Sequence, residues 1–483
     1  MGRGAHLTHQ ENVMRPFWLQ QALESPEESR AKYREAPPLT GRHRVDVCIV
    51  GGGYTGLWTA IMLRQQSPGL RVTLIEADIC GAGASGRNGG CVLGWATKYP
   101  TLERLFGAGE ARRLVIESER CAQEIGDFCH RHAIDAEFRR DGTLFTATNR
   151  AQQAAVTPLM TGLSRQGIGS FVQRTADEVK RLSGSPSHCQ GWFSPNAATV
   201  QPGKLVRGLR RVAIELGVEL FENTPMQALD QGCPARVVTP QGCVVADKVV
   251  LATNAWMARL FPRFRRTVAI ISSDMVITDP MPDALAATGL VDGVSVLDSR
   301  TFVHYYRSTP DGRLMLGKGG NTFAFAGHVH KGFDRPSAYR DQLASRLGEF
   351  FPSLRHAPVA ASWTGPSDRS VTGLPFFGAM PGHANIVYGF GYSGNGVGPT
   401  RMGAKLLTSL VLEQDNAWSR SPLTKGPLGV FPAEPVRYLG SLLVRNAVRR
   451  KEACEDREVQ PRRWDHWLSG FAGAAGKSDK LAS

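Results

Sequence analysis

The sequence predicts a mixed α/β fold, α+β overall, in which a parallel sheet is interleaved along the chain with an antiparallel one. Three observations predict it. An apolar run at 45–50 ends in a glycine-rich turn. Two further strand-like runs follow, one at 248–255 that ends in small residues and one at 385–388 that leads into a second glycine-rich turn. Between them, residues 267–317 alternate between apolar and polar side chains, the period of a half-buried antiparallel strand. At 483 residues the chain has room for two or more hydrophobic cores.

Residues 1–44 are polar and rich in turn formers, such as Ser25-Pro26 and Pro37-Pro38, and read as an N-terminal arm anchored by Phe17, Trp18 and Leu19. Val45, Val47, Cys48, Ile49 and Val50 then form a buried parallel strand. Gly51-Gly52-Gly53-Tyr54-Thr55-Gly56 spells G-x-G-x-x-G where a helix must begin. Gly51 permits the tight turn, Gly53 lets backbone amides approach a pyrophosphate, and Gly56 lets the helix pack on the strand. The helix N-terminus itself favours negative charge. Arg71 to Glu76 supplies the next strand, and Glu76 stands about 20 residues beyond the last glycine, where a carboxylate accepts hydrogen bonds from ribose hydroxyls. An acid there disfavours a 2′-phosphate. The unit is Rossmann-like and predicts a bound dinucleotide. Downstream, Ser85, Gly89 and Gly90 belong to a small-residue loop whose polar members are Arg87 and Asn88.

After Gly90 the pattern is helical to about 135. An amphipathic helix from Glu117 to His132 accounts for Cys129, His130 and His132, so no metal site is expected. Asp141 to Phe145 turns into a strand, Pro202 to Gly217 is a helix, and Lys248 to Ala255 is a strand ending in Thr253-Asn254-Ala255. Phe302 to Tyr306 and Leu314 to Leu316 form a hairpin through Thr309-Pro310-Asp311-Gly312. Gly312 to Lys318 nearly spells a P-loop, but Gly319 replaces the magnesium-binding hydroxyl, and nucleoside triphosphate binding is rejected. A last parallel strand, Asn385 to Tyr388, leads into Gly389-Phe390-Gly391-Tyr392-Ser393-Gly394-Asn395-Gly396 and a helix from about 399 to 413. No strand ending in an acid follows, so this second glycine turn is assigned to the same cofactor.

Hydrophobic content of 42% and 53 glycines suit a loop-rich enzyme. The net charge of +14 is compatible with nucleic acid, an anionic membrane surface or acidic metabolites, and decides nothing about chemistry. Nine cysteines without a C-x-x-C pair point to a reducing compartment, and no run reaches a membrane span, so a cytoplasmic location is expected.

These motifs, in this order, resemble the FAD-dependent D-amino-acid oxidase/glycine oxidase superfamily, nearest its γ-glutamylputrescine oxidoreductase-like and aminophosphonate oxidoreductase members. The resemblance spans roughly residues 45–413 and is carried by 50–56, 84–90, Thr-Asn-Ala-Trp at 253–256, Trp363-x-Gly365 and 389–396. It implies non-covalent FAD held by Gly51, Gly53, Tyr54, Thr55, Gly56 and Glu76 at its ADP half, and passed by Ser85, Arg87, Asn88, Gly89 and Gly90. Thr253, Asn254 and Trp363 would join them, with Gly391, Ser393, Gly394, Asn395, Gly396 and Val397 toward the flavin ring. It further implies hydride transfer from the carbon beside an amine nitrogen to flavin N5, followed by imine hydrolysis. Candidate substrate anchors are His304, Tyr305, Tyr306 and Arg307, then Lys318 and Arg369; the two tyrosines must face opposite sides of a strand. Two departures concern relatives that attach flavin through cysteine and assist oxygen with lysine: here the segments read Ser362-Trp363-Thr364-Gly365 and Leu314-Met315-Leu316. The electron acceptor is therefore left open between oxygen and a quinone or carrier.

The expected division is an arm (1–44), a discontinuous FAD-binding domain (45–100, 190–260, 355–413), a discontinuous substrate domain (101–189, 261–354) and a basic C-terminal extension (414–483). Two rivals use that extension: an RNA-associated or tRNA-modifying flavoprotein, suggested by arginines interleaved with Tyr438, Trp464 and Trp467, and a quinone-linked dehydrogenase docked on a membrane surface. Against both, Val436, Leu439, Leu443 and Ala447 form one helical stripe, expected to pack inward with the basic side solvated. Nucleic acid is not the favoured partner; a small amine is.

Overall fold

Two eight-stranded sheets organise the computed structural model, which describes residues 15–26, 28, 36–290 and 292–475. Of the expected arm and extension, residues 1–14, 27, 29–35 and 476–483 lie outside the described residues. The first sheet runs, in spatial order, Phe376–Met380, His383–Phe390, Gly242–Leu251, Gly41–Val50, Val72–Ile75 and Glu219–Phe221. From His383–Phe390 onward every neighbour on this path is parallel; Phe376–Met380 adds an antiparallel edge, and Ala235–Val238 with Ala228–Asp230 completes the eight strands as an antiparallel branch from Gly242–Leu251. Parallel strands are covered on both faces, which is why Val47–Val50 and Val72–Ile75 are apolar or small throughout and buried. The helices Tyr54–Gln66 and Pro399–Val411 pack against each other over this sheet, beside Pro202–Glu215.

The second sheet runs Val359–Ser370, Val268–Thr278, Leu314–Phe323, His304–Ser308, Ser295–Asp298, Thr143–Ala147, Gln190–Ser194 and Val172–Arg174. All neighbours are antiparallel except Ser295–Asp298 with Thr143–Ala147. Two boundaries drawn from sequence shift here. Gln190–Ser194 and Val359–Ser370 were expected with the nucleotide domain, but both pair within the antiparallel layer. Val359–Ser370 has weak alternation and contains Pro366, so only its long pairing with Val268–Thr278 reveals its sheet. The helix predicted over 117–132 is Ala108–Arg131.

The arm holds a short helix, Phe17–Leu23, with Trp18 and Leu19 fully buried. At the other end, the helix Val436–Glu455 folds back against Arg463–Gly470. Its orientation reverses the expectation. Val436, Leu439 and Leu443 are 65%, 55% and 59% exposed, and only Ala447 of that stripe is buried. The inward face carries arginines because they find acceptors, Arg437 donating to the carbonyls of Arg265 and Val268 and Arg445 and Arg449 to Asn321, while Val444 and Val448 pack beside them with Phe302 and Phe323. Among the described residues no helix is long and apolar enough to cross a membrane.

Candidate active site

Four parallel strands deliver their carboxyl ends to one edge of the first sheet: Val50 into Gly51, Ile75 into Glu76, Leu251 into Thr253-Asn254, and Phe390 into Gly391. In open α/β sheets that edge is where ligands bind. The three motif glycines do different work there. Gly51 has φ +114°, and a Cβ on it would lie 2.6 Å from the Ala252 carbonyl oxygen. A Cβ on Gly56 would lie 1.9 Å from the Gly51 carbonyl oxygen, so strand and helix touch at that point. A Cβ on Gly53 would meet only the Ser85 hydroxyl, at 3.0 Å. Its bareness serves something outside the packed chain.

The helix that starts here has no side-chain cap on Gly53 and no acid in its first turn. Its first two side chains turn inward: the Tyr54 hydroxyl donates to the Pro202 carbonyl (2.9 Å), and the Thr55 hydroxyl donates to Tyr392 (3.0 Å). Glu76 accepts the amides of Gly52 (2.7 Å) and Asp78 (3.1 Å), and burial pushes its carboxyl up to about 7.

The loop at 84–90 is organised by its own polar residues. Ser85 accepts the Tyr54 amide at 2.9 Å. Asn88 donates to the Ala84 and Ser85 carbonyls and accepts the Gly90 amide. Arg87 donates to the carbonyls of Ala82, Phe333 and Thr364 and pairs with Asp334 at 2.7 Å, so its guanidinium is a strut inside the protein rather than a free contact for a cofactor. Trp363 donates its indole N–H to the Arg87 carbonyl (2.8 Å) and stacks on Phe17.

Gly391, Ser393 and Gly394 all take positive φ, at 89°, 59° and 85°. Asp368 holds this turn: its carboxylate accepts the Gly391 amide, its carbonyl accepts the Ser393 amide, and Asn254, with its amide nitrogen turned inward, donates to the carboxylate at 2.9 Å. Burial pushes Asp368 up to about 7. Sequence reasoning missed Asp368, and its one signal is an acid in the small-residue run Gly365-Pro366-Ser367 that precedes it. Arg369 donates to the Ser393 carbonyl at 3.0 Å, which ties the same turn rather than a substrate. Asn395 donates to the Gly94 carbonyl, while Gly396 and Val397 lead into the N-terminus of Pro399–Val411, which no side chain caps.

The antiparallel sheet meets these loops at Gly89 and Gly90. A Cβ on Gly89 would lie 2.4 Å from the Tyr305 ring and 3.1 Å from the Met315 methyl group, and one on Gly90 would lie 2.1 Å from the Val200 carbonyl oxygen. Tyr305 shares a hydrogen bond with Ser273 (2.9 Å), and burial raises its hydroxyl well above the usual phenol range. The alternation that left the two tyrosines unresolved in the sequence is settled by their surroundings. Tyr306 is 1% exposed, donates to the Ser183 carbonyl, accepts from His188, and packs on Phe350 and Phe351. His304 and Lys318 lie on the same buried side: His304 donates to Asp298 at 2.8 Å, and Lys318 donates to the Phe302 carbonyl at 2.9 Å. Arg307 shares the face of Tyr305, yet it is 1% exposed, lies over the Trp18 ring, and donates to the carbonyls of Gly89, Val200 and Ser308. His304, Tyr306, Arg307 and Lys318 thus each have hydrogen-bond partners within the core.

These donors and acceptors fit FAD. Gly53 and an uncapped helix N-terminus suit a pyrophosphate, and Glu76 suits ribose hydroxyls. The Thr253 and Thr364 hydroxyls and the Asn395 side-chain oxygen are buried without a partner among the described residues, and all three border the loops that would surround a flavin ring.

Known proteins agree. The γ-glutamylputrescine oxidoreductase of Escherichia coli is 28% identical over 86% of this chain and 95% of its own length. A probable oxidoreductase OrdL of Rhizobium meliloti is 32% identical over 78% of this chain and 85% of its own. The crystal structure of glycine oxidase from Geobacillus kaustophilus superposes with a TM-score of 0.65 at 22% identity, covering 79% of this chain and 98% of that one, and so supports the fold. The profile of the family described as FAD dependent oxidoreductase (DAO) matches residues 46–410. Cradle, sheet order and profile together place this chain in that family, and it is an FAD-dependent oxidoreductase.

Proposed function

We propose that this protein oxidises the carbon–nitrogen bond of a small amine or amino acid, and that γ-glutamyl-polyamine-like amines and aminophosphonates are the first substrate classes to try. The observation that carries the reading is the contact at Gly89, where Tyr305, hydrogen-bonded to Ser273, and Met315 of the antiparallel layer stand against the 84–90 loop. Bound FAD supplies acceptance of a hydride, at N5, from the carbon beside nitrogen, and water then hydrolyses the imine to an aldehyde or keto product.

The chain's own residues bind, orient and exclude. Tyr305 keeps its proton at neutral pH, so it orients a substrate by hydrogen bonding and does not act as a base. A neutral amine needs no strong base. Met315 and Trp363, 0% and 3% exposed, form an apolar floor with Phe17 that keeps water from the reacting carbon. The turn at 391–397, held by Asp368, aims a helix N-terminus at the place where negative charge gathers. Met315 is also uncharged at the position where the family resemblance implies an oxygen-assisting lysine, which supports a quinone or carrier protein as acceptor over oxygen.

The test is turnover. The holoenzyme is offered a panel of γ-glutamyl amines, aminophosphonates and N-methyl amino acids with either dissolved oxygen or a soluble quinone, and carbonyl product is measured. Product from at least one amine, formed faster with quinone, supports the reading. Product from alcohols or thiols alone, with every amine inert, refutes it.

A further inference from the structure

We propose that the C-terminal helical hairpin docks on the surface of an anionic lipid bilayer. Val436, Leu439 and Leu443 recur at helical spacing on one side of Val436–Glu455, and each is more than half exposed. They cannot turn inward, because Arg437, Arg445 and Arg449 on the opposite side are tied to main-chain carbonyls or to Asn321. The second helix adds Trp464 and Trp467, 66% and 56% exposed, with Phe471 at 51%; successive ring centroids lie 5.0 Å apart. The two helices are held together by the Arg450–Asp465 ion pair and by the clustering of Ala472 with Val448. The outward apolar ridge is therefore a built feature of the folded chain.

Charge selects the occupant. Arg437 donates to the Arg265 carbonyl and the Phe431 amide donates to the Arg266 carbonyl, so the first end of the ridge adjoins the exposed arginines 259, 263, 265 and 266. None of these four forms an ion pair with a carboxylate among the described residues, nor do the exposed Arg462 and Arg463 at the far end. The carboxylates of the hairpin are already matched: Glu434 with Arg437, Glu455 with Lys451, Asp456 with Arg300, Glu458 with Arg150 and Asp465 with Arg450, while buried Glu452 accepts the Thr301 amide. Exposed aliphatic side chains and indoles on the hairpin, with unmatched arginines at both of its ends, are what an interface rich in anionic headgroups takes up. RNA would use the arginines and rings but has no place for the Val-Leu-Leu stripe. A second copy of this chain would oppose like charge to like.

The test is sedimentation of the full-length holoenzyme with vesicles of phosphatidylcholine alone and of phosphatidylcholine mixed with phosphatidylglycerol. Binding to the mixed vesicles is expected to be at least tenfold stronger and to weaken with salt. Leu439→Ser with Leu443→Ser and Trp467→Ser should lower it tenfold or more, while flavin content and amine turnover in solution stay unchanged. Arg263→Gln with Arg265→Gln should remove the preference for anionic lipid. Equal sedimentation of the wild type and both variants would overturn the proposal, as would RNA binding or self-association lost through the same substitutions in place of vesicle binding.

Discussion

Replacing Gly53 by alanine separates what the chain needs from what its cofactor needs. The backbone there is extended, with φ −85° and ψ −177°, so alanine adopts it without strain. The added Cβ would meet only the Ser85 hydroxyl, at 3.0 Å, a contact a side chain relieves by a few tenths of an ångström. Losing glycine from the N-cap costs a fraction of a kcal/mol, and the stiffer unfolded chain returns about as much, so apoprotein stability should change by less than about 1 kcal/mol. The pyrophosphate, however, must approach the backbone where that methyl now sits. Losing one or two charge-assisted hydrogen bonds costs about 3 kcal/mol, or roughly a hundredfold in FAD affinity. Gly56→Ala is the opposite case: its Cβ would sit 1.9 Å from the Gly51 carbonyl oxygen, and relief means moving helix from strand, at about 3 kcal/mol or more. Thermal unfolding of the apoproteins and titration with FAD followed by flavin fluorescence measure both quantities. Unaltered FAD affinity in Gly53→Ala, or unfolding of that variant without FAD, would refute the reasoning.

Glu76→Gln removes the charge that accepts ribose hydroxyls and should weaken FAD about tenfold in the same titration, with little change in apoprotein folding. Arg307→Lys loses a planar fork donating to Gly89 and Val200 and should destabilise the protein by about 2–4 kcal/mol in denaturant, whereas Tyr305→Phe should leave stability within about 1 kcal/mol and change turnover. Burial pushes His188 down to about 4, so its neutral form supports the fold above the ordinary imidazole value and that support is lost as pH falls toward 4. The stability gap between wild type and His188→Gln should therefore shrink by about 3 kcal/mol between pH 7 and pH 4, and a gap that widens would contradict this. Acid precipitation should release FAD intact, since Ser362-Trp363-Thr364-Gly365 offers no cysteine for attachment.

The nucleotide sheet was legible because its signals are local. A continuous apolar run, three glycines at fixed offsets and an acid at the next strand end leave one arrangement, and Gly51, Gly56 and Glu76 stand where that arrangement requires. The amine side was less legible because alternation says that Tyr305 and Tyr306 oppose each other without saying which face is covered. The helix Arg340–Phe350, far away in sequence, helps to decide it by burying Tyr306. Arg307 was hard to read for a related reason: an arginine on a strand suggests an anion, and the main-chain carbonyls it donates to here are acceptors that no sequence pattern displays. The outward stripe of Val436, Leu439 and Leu443 is the converse case. Amphipathic periodicity predicts two faces, but the hydrogen bonds of Arg437 and Arg445 choose which one turns to the body.

The most direct test of the account is an anaerobic titration of the purified holoprotein with its best amine, followed by the visible absorbance of the bound flavin. The account predicts that one equivalent of amine bleaches one equivalent of flavin and yields one equivalent of carbonyl product. A flavin that keeps its colour under every amine offered, yet bleaches with a chemical reductant, would contradict it.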